Sequence, residues 1–125
     1  MATTPNALFM DTGGYTTRIT LPEDPAQRAV VIRAVTNSSS LEAVDLTDEW
    51  ALWLDETGGM LGSYRRPVNN AATRLATHLG LAGKIRGPVV ITGTSPLGTI
   101  FLTEQGLEDI EAVLGEHVGG GWAAP

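Results

Sequence analysis

Apolar and polar positions alternate in short runs along this chain, and the runs arrive in pairs. Residues 7–10 and 15–21 flank Asp11-Thr12-Gly13-Gly14, a tight-turn signal, and Tyr15, Thr16, Thr17, Ile19 and Thr20 favour extended backbone. A β-hairpin is expected there. Asp24 before Pro25 then reads as an N-cap with proline at the first helical position. Val30, Val31, Ala34 and Val35 follow at helical spacing, with Gln27, Arg28 and Arg33 toward water and an end near Asn37.

The pattern repeats. Residues 41–46 and 50–54 read as a second pair of strands, with Trp50, Leu52 and Leu54 on one face and Ala51 and Trp53 on the other. A short helix capped by Thr47 is the alternative. Asp55-Glu56-Thr57-Gly58-Gly59 turns the chain, residues 60–64 could add a short strand, and Arg65-Arg66-Pro67 ends it. Asn69 or Asn70 caps the next helix, whose stripe is Ala72, Leu75, Ala76 and Leu79, with Gly80 just past its end. Residues 89–92, β-branched throughout, predict a buried strand, partnered by residues 99–102 across a glycine-bounded turn. Thr103 caps a last helix that presents Leu107, Ile110, Val113 and Leu114 to the core and ends at Gly115.

The expected fold is therefore α+β in the order β-β-α-β-β-α-β-β-α, about three helices packed on one face of a mostly antiparallel sheet. A chain of 125 residues suits one domain, taken as 7–118, with a disordered N-terminus (1–6) and a flexible Gly/Ala-rich tail (119–125).

Composition narrows the chemistry. No cysteine is present, which removes disulfides, thiolate nucleophiles and thiolate zinc sites. The two histidines, His78 and His117, lack metal-ligand spacing, so neither a metal nor another cofactor is expected. The net charge of −6 argues against nucleic-acid binding, which needs a basic footprint. No apolar run reaches membrane-spanning length and no signal peptide is visible, so a cytoplasmic protein is expected. Asn37-Ser38-Ser39 matches a glycosylation sequon and is read as a plain loop.

Three sets of side chains remain as candidates. Trp50 and Trp53 project to opposite faces, and one of them must be covered by the following loop or serve as an exposed partner anchor beside Asp55 and Glu56. Arg65, Arg66 and Arg74, with Thr94 and Ser95 of the Gly93-Thr94-Ser95-Pro96-Leu97-Gly98 loop, could hold a nucleotide-type anion. Asp55 or Glu56 could act as a base, but an acidic turn supplies neither nucleophile nor oxyanion donors. No catalytic residue set is assigned.

Asp55-Glu56-Thr57-Gly58, Asn69-Asn70-Ala71-Ala72-Thr73 and Gly87-Pro88-Val89-Val90-Ile91-Thr92-Gly93 resemble the motifs of a family of small uncharacterised domains from bacteriophages, plasmids and actinobacterial mobile elements. The third motif carries one extra residue relative to that family's pattern, and the likeness spans roughly residues 30–114. The resemblance implies a cytoplasmic accessory protein and no activity. The leading expectation is a small acidic non-enzymatic binding module that engages a host or defence-system protein. The alternative is a small-ligand binding or sequestering protein. An uncovered tryptophan face or an unpaired strand edge could also close a homodimer.

Overall fold

The computed structural model describes residues 4–56 and 66–118, the last three by their backbone alone. Three antiparallel hairpins are each followed by a helix: β1 (Ala7–Met10) and β2 (Thr16–Ile19) before α1 (Pro25–Thr36), β3 (Leu41–Asp45) and β4 (Trp50–Asp55) before α2 (Asn70–His78), and β5 (Val89–Ser95) and β6 (Gly98–Ile100) before α3 (Glu104–Val118). The expected element order holds throughout. Strands form where Thr47 was also read as a helix cap. Its Oγ1 instead accepts from the Glu49 and Trp50 amides, closing the β3–β4 turn. The strand considered for residues 60–64 and the turn at 57–59 lie outside the described residues, as do residues 1–3 and the tail at 119–125.

Among the described residues, the six strands join one sheet in the order β2-β1-β5-β4-β3, with β6 also on β5. Every pairing is antiparallel. Strand β5 is the centre. Ile91 lies opposite both Leu8 and Leu52, while Gly93 lies opposite both Trp50 and Ile100. Strands β1 and β6 therefore share one edge of β5 end to end. Their junction is closed by the Leu102 amide, which donates to the Asn6 carbonyl at 2.8 Å.

The helices do not share one face, as the sequence suggested. Leu8, Met10, Leu52, Leu54, Val89 and Ile91 pack with α2 and α3 in the larger core. Ala7 and Val90 pack with Ile32 of α1 in a second, smaller one. Period-two alternation puts these sets on opposite sides of the sheet. The reason is that β4 and β5 are apolar on both faces, and a strand buried on both sides needs a layer on each.

Local chemistry explains the helix boundaries. Asp24 Oδ2 accepts the Gln27 amide at 3.0 Å with Pro25 behind it, and α1 ends on Asn37 in the left-handed conformation. The face that α1 buries is Ile32 and Thr36, flanked by Val31 and Val35; Val30, expected inward, is 58% exposed. Arg28, expected in water, lies half-buried with its guanidinium 5.2 Å from the Phe101 ring centre. Helix α2 buries Ala71, Ala72, Leu75 and Ala76. It closes in a Schellman turn: Gly80, at φ +93°, donates to Thr77 and Leu81 donates to Ala76. Thr103 caps α3 through its Oγ1, and α3 runs past Gly115 to Val118, so His117 lies within the helix.

Two buried asparagines hold β1 at both ends. Asn69, not Asn70, caps α2, its Oδ1 accepting the Ala72 amide at 3.1 Å. Its Nδ2 donates to the carbonyls of Met10 and Gly87, each at 3.0 Å, joining the end of β1 to the approach to β5. Asn6 exchanges side-chain bonds with the Leu21 amide and carbonyl. It belongs to the fold and not to a disordered N-terminus.

A surface clamp joins sheet and helix. Arg18 of β2 grips Glu111 through Nε and Nη2 (3.0 and 2.7 Å) and Glu104 through Nη1 (2.7 Å). The paired carboxylates hold the Arg18 guanidinium above its ordinary range, and Arg18 holds the Glu104 carboxyl below its own.

Asn69→Ala removes the cap and leaves the Met10 and Gly87 carbonyls buried without a donor; it is expected to cost about 2–4 kcal/mol by urea denaturation. The Glu104 shift gives a pH prediction. A carboxyl depressed in the folded state stabilises above its unfolded value and loses that contribution as pH falls through the folded one. Arg18→Gln should therefore flatten the acid limb of the stability profile below about pH 4.5, the ordinary value of Glu104, and change little of its shape near neutrality.

Candidate functional site

At the end of the sheet where β4 begins and β5 finishes, a cleft of about 330 Å³ opens over Trp50 and Gly93. Gly93 and Gly106 both line it. Gly93 sits opposite Trp50, and a Cβ there would stand 2.8 Å from Ile100 Cγ1 and 3.0 Å from the Phe101 carbonyl. Gly106, in the first turn of α3, faces the Trp50 indole, whose Nε1 lies 3.6 Å from where a Cβ would be. Trp50 is half-buried against the larger core, and its indole N–H has no hydrogen-bond partner among the described residues. A second cavity, of about 560 Å³, adjoins the cleft and shares Asp48, Thr94, Ser95 and Pro96 with it.

The rim is acidic. Asp48 and Glu49 line the cleft, Asp45 and Asp48 its neighbour, and neither cavity has a lysine or arginine among the described residues that line it. All three carboxylates are exposed, and none makes an ion pair or side-chain hydrogen bond among the described residues. Beyond the rim the β5–β6 turn projects Leu97, 99% exposed, with Ile100, 48% exposed, behind it.

The turn is a two-residue hairpin, held by Ser95 Oγ, which accepts the Leu97 amide at 3.2 Å and donates to the Gly98 carbonyl at 3.1 Å. The Thr94 amide is used by the Glu49 carbonyl. Those amides are therefore not directed at an anion.

The other predicted residues lie elsewhere. Arg66 is at the opposite end of β4, about 17 Å away at the rise of a strand. Its Nε meets Asp55 Oδ2 at 3.0 Å, while Nη1 and Nη2 donate to the Thr36 and Asn37 carbonyls at 3.3 and 2.7 Å. The basic candidate and the acidic candidate thus satisfy each other, fastening the end of β4 to the C-terminus of α1. Glu56 accepts from Ser40 Oγ at 2.6 Å. Trp53 is half-buried on the α1 face, its Nε1 donating to Thr92 Oγ1 at 2.9 Å. Arg74 rises from α2, whose start is tied to the approach to β5, the end of that strand remote from Thr94 and Ser95. Its Nε is buried without a hydrogen-bond partner among the described residues. Arg65 lies outside the described residues. The anion site expected from Arg66, Arg74, Thr94 and Ser95 is not assembled.

Of the predicted residues, Trp50, Thr94 and Ser95 come together. Asp45, Asp48 and Glu49 cluster before Trp50 in the sequence, and the fold brings them to Thr94 and Ser95; sequence reasoning missed that meeting and Leu97 as the projecting side chain. The available signal was an aliphatic residue at the tip of a predicted tight turn.

Among the described residues no group of histidine and carboxylate side chains is placed to hold a metal ion, and no helix is long and apolar enough to cross a membrane. No family model, curated protein or solved structure matches the chain. The resemblance to the phage and mobile-element domains rests on its short motifs.

Arg66→Met keeps the aliphatic stem and removes the guanidinium from the Asp55 carboxylate, which is nearly buried. The expected loss is roughly 1–3 kcal/mol in urea denaturation at pH 7, shrinking in Asp55→Asn/Arg66→Met.

Proposed function

We propose that this chain is a small acidic, non-enzymatic interaction module that engages a protein partner with the sheet end formed by Trp50, Leu97 and Ile100. One observation carries the reading: a fully exposed leucine stands beside an apolar cleft whose rim carboxylates are unpaired. An exposed aliphatic tip next to a half-buried tryptophan has the make-up of an interface anchor. The ionisable groups of the other two clusters are held by one another, Arg18 by two glutamates and Arg66 by Asp55, which leaves neither cluster poised for acid–base work.

The motif resemblance supports an accessory role in a phage or mobile element, in the cytoplasm, with a host or defence-system protein as the partner.

A photo-crosslinking side chain placed at Leu97 in the producing cells should trap a discrete protein adduct, and the same group at Ala112, exposed on α3, should not. Equal labelling at both positions, or none at Leu97, overturns the proposal.

A further inference from the structure

The rim of the cleft specifies what can enter it. We infer that the cleft takes a protein segment that pairs a lysine or arginine with a bulky apolar side chain; the inference rests on the interaction reading above and names the chemistry of its partner.

The argument is charge complementarity on an apolar floor. Asp45, Asp48 and Glu49 converge on Thr94, Ser95 and Pro96, and no lysine or arginine lines either cavity among the described residues. Elsewhere the acids Glu104, Glu111 and Asp55 are all paired with arginines. The rim acids are unsatisfied, and an incoming cation gains attraction without displacing an internal partner.

The floor supplies the second half. Trp50 presents indole beneath the rim, and the cleft of about 330 Å³ above it has room for one large apolar group. The indole N–H, free of a protein partner, offers one donor to a backbone carbonyl of the entering segment. Leu97 and Ile100 extend the apolar contact outside the cleft. That extension favours a polypeptide over a small cation, which would fill the cleft and leave the leucine in water.

The test is selection of a random 12-residue peptide library displayed on phage against the full chain, followed by fluorescence anisotropy with the selected peptides. The expected peptides place Lys or Arg within a few positions of Leu, Phe, Met or Trp. Their affinity should fall at least about tenfold in Asp48→Asn/Glu49→Gln and fall steeply between low and high salt. It should hold in Glu23→Gln/Glu108→Gln, which makes the same change in net charge at exposed residues that line neither cavity. Leu97→Ser, at a residue with no packing to lose, should weaken binding as well.

Selected peptides that are acidic or lack basic residues, or that bind the two double variants alike, overturn the inference. So does selection that enriches nothing. Spermidine binding as tightly as the peptides, with the same dependence on Asp48 and Glu49, would assign the cleft to a small cation instead. In each case the crosslink at Leu97 stands or falls on its own result, which separates failure of this inference from failure of the interaction reading.

Discussion

The fold depends on two buried carboxamides that bracket strand β1. Strand β1 has four residues, and its ends have few neighbours from the ladder. Asn6 fixes one end to the segment after β2 and to the segment after β6; Asn69 fixes the other to the approach to β5 and to the first turn of α2. An amide side chain suits both places because it offers donors and an acceptor together, so buried backbone groups of both kinds can be met by one residue. Aspartate would supply acceptors alone, and leucine neither. With β1 held, β5 acquires its neighbour along one edge, and a single continuous sheet can carry helices on both sides.

Those two sides are unequal. The α2–α3 side holds the larger core, with long aliphatic side chains from every central strand. The α1 side is thinner, and much of its packing comes from half-buried residues such as Phe9, Trp53 and Phe101. Polar contacts reinforce it: Trp53 bonds Thr92, and Arg66 ties the end of α1 to Asp55. Opposite charges that might have served a ligand are consumed in holding a helix whose apolar contact is modest.

Much of the architecture was legible because local signals agreed with one another. Asp24-Pro25, Thr103 and Gly80 each mark a helix boundary through a specific backbone requirement, and each acts as its residue type dictates. The second helical layer was legible too, in the unbroken apolar run of β5 and the two-faced apolarity of β4, but it required treating those strands as buried on both sides. The inward face of α1 was misjudged because its valines and alanines are spread around the helix, and only packing selects among them. The candidate site was less legible. Which acid meets which arginine depends on strands brought together across the sheet, so Asp55 and Arg66 looked like two candidates where the fold makes one ion pair. The acids at the other end became neighbours of Thr94 through the β4–β5 register, which hydropathy alone does not set.

Because β1 and β6 abut along one flank of β5, the chain contains a seam. The segment from Thr94 to Thr99 lies beyond the reach of β1, and its ladder contacts are its own hairpin and the start of β4. Lengthening or rewriting that tip would leave the alignment of the four other strands untouched. The architecture thus mounts a replaceable tip on a frame that does not depend on it, so that changes at the tip would not require renegotiating how the rest folds.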